Sequence, residues 1–433
     1  MKKVYIQSRV GCGYRMLDAQ RFCNYFLKNN HRIVHNPKEA DYIIFVTCGI
    51  SNAMAEICLG IIKKFNKYDA ELIVVGCLPA IRPKLIAENF GGKIIVTDDL
   101  IHNPDKIDQL FPENKIKFKY IDDPSIIEYQ DNEGNLLQRL KNKINAVEME
   151  KTSTLLGIIT LSIPIKIRRH ILNNLLGENT VISHYNSILT HNSDYCIRVS
   201  WGCTGNCTYC GSKKAVGAHV SKPIEQILTE FKKGLRMGYK SFYISAEDVG
   251  SYGLDIDSSL PELLDKITEI EGDYEIFLGG LNPVWVVKYV DSLEKIFKKG
   301  KIQHMECPIQ SGSSRILKLM HRYSNIEKIK DAYNRLRKSY PDLLLYPHIM
   351  LGFPTETDED AEQTLSFIKE MNFNSGQVFN CSCIPGTEAV DIEPKVPKEV
   401  ISERTKYVKK FLKREGYIVI WPNRPKGVGY FYR

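Results

Sequence analysis

The chain has no apolar run that could cross a bilayer. Its most apolar stretch, residues 155–165, falls short of the roughly 20 residues a spanning helix needs and is broken by Gly157 and Pro164. No stable membrane insertion is expected. A secretory leader is also missing from the opening Met-Lys-Lys-Val-Tyr-Ile-Gln, so the twelve cysteines are expected in the reducing cytoplasm, where thiols serve metals in preference to disulfides. Zinc-finger pairing is incomplete: Cys207 and Cys210 make one C-x2-C hook, but no second hook and no paired histidines follow at finger spacing. Acidic residues are the scarcer charge, 51 against 59 Lys and Arg, which leaves a formal net charge of +8. That excess suits a polyanion such as nucleic acid without identifying one.

What is present is a C-x3-C-x2-C triplet, Cys203, Cys207 and Cys210, within Trp-Gly-Cys-Thr-Gly-Asn-Cys-Thr-Tyr-Cys. Four thiolates would close a structural cluster or a zinc site, whereas three soft ligands point to an iron-sulfur cluster with one iron left open. Three more cysteines are dispersed near the N-terminus. Residues 4–7, 42–47, 72–76 and 93–96 read as short apolar strands alternating with helical stretches, the pattern of an open parallel α/β sheet. Cys12 lies in the loop after the first strand; Cys48 and Cys77 directly follow the second and third. Loops at the carboxyl ends of parallel strands meet on one edge, so these thiols are expected to converge.

The alternation resumes at residue 196. Candidate strands at 197–200, 241–245, 275–279, 303–306, 345–350 and 377–381, separated by helical segments such as 223–237, 261–271 and 358–371, predict a partial parallel (β/α)6 barrel. The fold class is thus α/β, an N-terminal open parallel α/β domain followed by that barrel. The expected organisation is a first domain over 1–103, an insertion or linker over 104–195 carrying an apolar helical segment, the barrel over 196–414, and a tail over 415–433 docked as a strand. Cys23 and Cys58 fall on helical patterns and Cys196 and Cys307 near strand ends, all read as core residues. Cys381 and Cys383, spaced by two, would share one face of a continued sixth strand, either packing there or lining a substrate cavity.

Further segments carry a resemblance: Ser245-Ala-Glu-Asp-Val-Gly-Ser-Tyr-Gly253, Pro308-Ile-Gln-Ser-Gly-Ser313, Leu317-Lys-Leu-Met-His-Arg322, Gly352-Phe-Pro-Thr-Glu-Thr357 and Pro385-Gly-Thr387. With the two cysteine sets, they resemble the radical S-adenosylmethionine (SAM) methylthiotransferases over most of the chain. The Glu-Asp-x-Gly-x-Tyr-Gly form is most similar to the threonylcarbamoyladenosine tRNA methylthiotransferases. The resemblance implies two 4Fe-4S clusters and SAM: Cys203, Cys207 and Cys210 would hold the SAM-cleaving cluster, and Cys12, Cys48 and Cys77 an auxiliary cluster carrying the sulfur to be donated. It also implies that Tyr209 packs near the adenine of SAM and that Ser245, Glu247, Gln310 and Ser313 lie in SAM-contacting segments. The duller reading for Tyr209 is a core ring, and for the other four it is strand-end capping. The implied partners are tRNA and a reductase or flavodoxin-type electron donor. Both clusters should flank one water-poor chamber, since a carbon radical must meet its sulfur before it is quenched.

The chain departs from that pattern where substrate should enter. Nothing after Arg414 is long enough for the family's C-terminal TRAM barrel, Ile384 stands where an Arg usually precedes Pro-Gly-Thr, and Pro347-His348 and Thr355-Glu356-Thr357 replace two family segments around the fifth strand. A peptide or protein side chain is therefore the alternative substrate, with an accessory protein in place of the missing barrel. A noncatalytic metal-dependent RNA-binding protein is the alternative of a different class.

Overall fold

Tyr-Ile-Ile-Phe-Val-Thr and Glu-Leu-Ile-Val-Val-Gly are near-continuous apolar runs, the signature of parallel strands covered on both faces. They form the centre of the first sheet. The computed structural model describes residues 1–8, 12–129, 195–421 and 427–433. In it β1 (Lys3–Ser8), β2 (Arg32–Ile33), β3 (Tyr42–Thr47), β4 (Glu71–Gly76) and β5 (Lys93–Val96) assemble in the order β2-β1-β3-β4-β5, parallel throughout. Helix α1 (Gly13–Lys28) supplies Phe22, Tyr25 and Phe26 to the core on one face. Helix α2 (Asn52–Phe65) supplies Cys58, Ile62 and Phe65 on the other. The short α3 (Cys77–Ile81) and α4 (Pro83–Asn89) follow β4.

The first domain runs on past residue 103, which corrects the expected boundary. Helix α5 (Pro104–Leu110) and the chain after it bring Ile107, Phe111, Phe118 and Ile121 into the core beneath α1. The Phe118 ring lies 5.0 Å from that of Phe22 and 5.3 Å from that of Tyr25, and Arg21 donates to the Ile121 carbonyl (3.0 Å). Burying these rings ties the segment to the sheet. Residues 130–194 of the expected insertion, including 155–165, lie outside the described residues.

The second sheet has the order β14-β15-β13-β12-β11-β10-β9-β6. Six of its strands, β6 (Tyr195–Arg198), β9 (Ser241–Ser245), β10 (Glu275–Leu278), β11 (Ile302–Gln310), β12 (Leu344–Leu351) and β13 (Ser375–Asn380), are parallel, as the repeat predicts. Crossover helices α7 (Ile224–Arg236), α8 (Leu260–Thr268), α9 (Pro283–Phe297), α11 (Ile326–Ser339) and α12 (Asp358–Met371) separate them. The amphipathic faces of these helices fill the shared core; Phe231 of α7, for instance, stacks on Phe242 of β9 with centroids 4.0 Å apart. Between β6 and α7, a small ribbon of β7 (Ser200–Trp201) and β8 (Val220–Ser221) brackets the triplet loop and the single-turn α6 (Lys213–Val216).

The tail docks as a hairpin. After α13 (Lys398–Arg414), β14 (Ile418–Ile420) and β15 (Val428–Tyr432) pair antiparallel, and β15 adds antiparallel to β13. Tyr417 and Phe431 meet edge-on in the core at 5.0 Å, so these rings are engaged in packing. The hairpin covers the open edge of β13, a device that blocks unwanted strand pairing. Among the described residues no helix is long and apolar enough to cross a membrane.

Candidate active site

Because β1, β3 and β4 are adjacent and parallel, the residues that follow them emerge side by side. Cys12 caps α1, Cys48 follows β3, and Cys77 opens α3 immediately after β4. The last turn depends on Gly76 at φ +106°, where an added Cβ would lie 2.6 Å from the Thr47 carbonyl oxygen. Burial pushes all three thiols up, and each is raised further by charge on a neighbouring cysteine or on Glu247. The Arg15 guanidinium opposes this at Cys12 and Cys77. Cys48 is buried and Cys12 and Cys77 half-buried, and three thiols that resist ionising make a donor set that a metal cluster would deprotonate on binding.

The second triplet sits across the domain junction. Gly202, at φ +74°, turns the chain where a Cβ would lie 2.3 Å from the Ala218 carbonyl oxygen. The Gly205 N–H donates to Cys203 Sγ (3.2 Å), and a Cβ placed on Gly205 would contact both Cys203 Sγ and Cys207 Sγ. The loop is thus wrapped tightly around its own sulfurs. Burial pushes Cys203 up to about 12, with Asp248 adding to the shift. Arg322 donates to Cys207 Sγ (3.6 Å) and to the Pro308 carbonyl, placing a fixed positive charge against this set as Arg15 does against the other. Tyr209 lies edge-on to Phe353 among the apolar side chains around Ile316 and Met320. Among the described residues no three His, Cys, Asp or Glu side chains close to single-ion geometry. A cubane cluster binds its thiolates on separate irons.

Ser245 ends β9, Glu247 follows it, and Gln310 ends β11 at φ +77°. Positive φ on a non-glycine residue is a strain that functional sites hold in place. Ser245 Oγ, Glu247 Oε2 and Gln310 Oε1 are buried, and among the described residues none has a hydrogen-bond partner. Buried polar atoms are normally satisfied. Three such atoms at strand carboxyl ends beside the triplet loop fit a polar ligand that donates hydrogens, as the ammonium and ribose hydroxyls of SAM do. Ser313 differs from them. It caps α10 (Ser314–Leu319), accepting from the Ile316 N–H, and donates to Asp360 Oδ1 (2.6 Å), so its hydroxyl is already engaged.

The two sets are joined by a seam of short contacts. Arg15, three residues after Cys12, pairs with Glu247 (3.0 Å) and Asp18 (2.7 Å), with every partner at most one-tenth exposed. The Tyr14 hydroxyl donates to the Ala246 carbonyl (2.7 Å), and Arg198 of β6 reaches back to Asp18 (2.9 Å) and to the Tyr14 carbonyl (2.8 Å). Beside this network Ile81, Ala215, Val216 and Ile384 form an apolar patch with Cys77 at its edge. Residues just after Cys12 and Cys77 therefore touch residues just after Ser245 and Cys210. Sequence reading missed Arg15, Arg322 and Asp248 as parts of the site. Arg322 and Asp248 lay inside the quoted motifs, but Arg15 carried no local signal.

Residues 197–368 match the radical SAM superfamily, and residues 3–97 match the uncharacterized protein family UPF0004. The fold is also similar to that of the radical S-adenosylmethionine methyltransferase TsrM from Kitasatospora setae, at TM-score 0.57 and 10% identity, covering 90% of this chain and 77% of that one. The parallel barrel with its cysteine loop is thus that of a radical SAM enzyme. Among curated relatives, the chain is 28% identical over 411 residues to the probable threonylcarbamoyladenosine tRNA methylthiotransferase of Pyrococcus abyssi, covering 94% of this chain and 83% of that one. It is 30% identical over 404 residues to the tRNA-2-methylthio-N(6)-dimethylallyladenosine synthase of Clostridium botulinum, covering 91% and 78%. The chain belongs to the radical SAM methylthiotransferase family. Its cofactors are accordingly two 4Fe-4S clusters and SAM.

Proposed function

We propose that this enzyme replaces C–H by C–SCH3 on an adenosine of tRNA, in the cytoplasm, with electrons from a flavodoxin-type reductase. The observation that carries the reading is the buried Arg15–Glu247 pair, which ties the start of α1 just after Cys12 to the loop after β9. Cys203, Cys207 and Cys210 would hold the cluster that binds SAM, and Cys12, Cys48 and Cys77 the auxiliary one. Bound there, these groups supply a 5'-deoxyadenosyl radical and a methylated sulfur.

The protein's part is positioning and exclusion of water. Ser245, Glu247 and Gln310 offer acceptors to the donors of SAM, and Arg322 holds the Cys207 sulfur. Arg15, Asp18, Arg198 and Glu247 fix the spacing of the two triplets through buried charges that tolerate little displacement. Ile81, Val216 and Ile384 close one side with apolar surface, which protects a radical from solvent. The tRNA substrate rests on the named activities of the relatives and on the formal charge of +8.

The test is incubation of reconstituted enzyme, reductant, sulfide and SAM with total tRNA or with cellular peptides, followed by mass spectrometry. A methylthio increase on an adenosine is expected. Inert tRNA beside a methylthiolated peptide would replace this substrate with the peptide alternative and make an accessory partner the next search.

A further inference from the structure

Each methylthio group formed removes a sulfur that must be restored, and a sulfane-sulfur transfer reaction is one class of chemistry that supplies it. We propose that Cys381 and Cys383 form a sulfur-loading dithiol on the seam, with Cys383 taking sulfane sulfur from a low-molecular-weight persulfide and holding it beside the Cys381 thiol. This rests on the methylthiotransferase reading.

The pair is placed by the fold. Strand β13 ends at Asn380; the Cys381 N–H donates to the Leu351 carbonyl (2.7 Å), and Thr387 closes the turn with its hydroxyl (2.7 Å) and N–H (3.1 Å) on the Ile384 carbonyl. Cys381 packs against the cluster of Ile316, Met320 and Phe353 beside Tyr209, and Cys383 follows it two residues on, near enough that each thiol shifts the other's ionisation. The residues between and after them touch both cysteine domains. Ser382 Oγ accepts from the Asn52 N–H (3.4 Å), four residues after Cys48, while Ile384 packs with Ile81, four residues after Cys77. A Cβ on Gly211, next to Cys210, would meet both of those isoleucine side chains at 3.0 Å. Cys23, Cys58, Cys196 and Cys307 are buried, whereas Cys381 and Cys383 are half-buried and reachable.

The chemistry suits the placement. The neighbouring Cys381 thiol lowers Cys383 to about 7, with burial and Glu393 opposing and Lys395 assisting, while Cys383 and burial raise Cys381. Loading is Cys383–S⁻ + R–S–SH → Cys383–S–SH + R–S⁻. One sulfur-sulfur bond forms and one breaks, the electron pair leaves with the donor thiolate, and no external oxidant or reductant is consumed.

The experiment uses the full cluster-loaded chain, kept anaerobic, with glutathione persulfide and no SAM, followed by alkylation and peptide mass spectrometry. The expected result is one added sulfur on Cys383, at least about tenfold more than on Cys23 or Cys58, and its disappearance in Cys383→Ser. In turnover assays the ratio of activity with persulfide to activity with inorganic sulfide should fall about tenfold or more in Cys383→Ser. Unlabelled Cys383, a Cys381–Cys383 disulfide as the sole product, or an unchanged ratio overturns the proposal. Because loading is read without SAM or tRNA, loading without methylthiolation counts against the proposed reaction, and methylthiolation without loading counts against the dithiol.

Discussion

Replacing Arg15 by Met removes the guanidinium that bonds Glu247 from across the domain junction. Asp18 keeps Arg198 as a partner, but Glu247 loses its nearest cation. Burial already holds the Glu247 carboxyl above its ordinary value while Arg15 and then Arg198 pull it down, so the substitution drives it toward the protonated form. The cost then depends on pH. Neutralising a carboxyl of ordinary value about 4.3 costs about 1.4 kcal/mol per pH unit, which sets a ceiling of roughly 4 kcal/mol at pH 7.5 and about 1 kcal/mol at pH 5. The sign follows from proton counting. A folded state that binds more protons than the unfolded chain loses stability as pH rises, so the penalty is absent below the ordinary carboxyl value and grows above it. Breaking a buried ion pair from one side costs about 3–5 kcal/mol, which agrees with that ceiling. Urea unfolding of reduced, anaerobic protein should therefore show a loss of about 2–4 kcal/mol at pH 7.5 and at most about 1 kcal/mol at pH 5 for Arg15→Met. The double variant Arg15→Met/Glu247→Gln should recover about half of the loss or more. A penalty equal at both pH values, or no recovery in the double variant, would refute the view that this pair holds the domains together.

Three further outcomes are expected. Cys203→Ala should abolish release of 5'-deoxyadenosine, whereas Cys77→Ala should preserve it and block methylthiolation; undiminished product from the Cys77 variant would remove the two-cluster division of labour. Asp360→Asn should cost about 2–3 kcal/mol at pH 7, because burial opposes the charge but bonds from Arg315, Ser313 and Thr357 outweigh it and hold the carboxyl well below its usual range. That contribution is present above the ordinary Asp value of about 3.9 and lost as pH falls below it, so wild type and variant should converge in acid unfolding, and a constant gap would contradict the assignment. Alkylation of Cys383, which faces Cys381, Lys395 and Glu393, should rise through about pH 7 as its thiolate forms, and Lys395→Met should move the rise upward; a midpoint near an ordinary thiol would exclude the lowering by Cys381.

The parts of the fold that were legible are those with a repeating period. Residues 42–47, 93–96, 241–245 and 358–371 were expected as elements and form them, because a covered strand must be apolar throughout and a crossover helix must be apolar on one face. The ribbon of Ser200–Trp201 and Val220–Ser221 has two residues per strand, too few to show any period. Residues 104–121 lacked strands and so read as linker. Their apolar groups, Ile107, Phe111, Phe118 and Ile121, act through helical spacing and through a partner helix 80 or more residues earlier, which local pattern does not reveal. The thiols were legible because their spacing and their positions after strands are local facts. Ser313 was read as either a SAM-contacting residue or a cap; in the fold it caps α10 and donates to Asp360, in line with the duller of the two readings.

Arg15 and Glu247 show why the remaining part of the site was hidden. They are 232 residues apart, and neither has a flank that announces the other. Their meaning lies in where the charge sits. A buried guanidinium costs several kcal/mol unless it is paired, so a neutral contact would have served domain docking more cheaply. The structure instead sets this cation between two thiols of one triplet and the carboxylate beside the proposed SAM acceptors, with Arg322 in the matching position against the other triplet. A fixed positive charge beside each sulfur set favours thiolate over thiol, and two anionic clusters close together would repel one another without it. The placement of both cations is what the proposed pair of sulfur-ligated centres in a dry junction would call for, and packing alone would not require it.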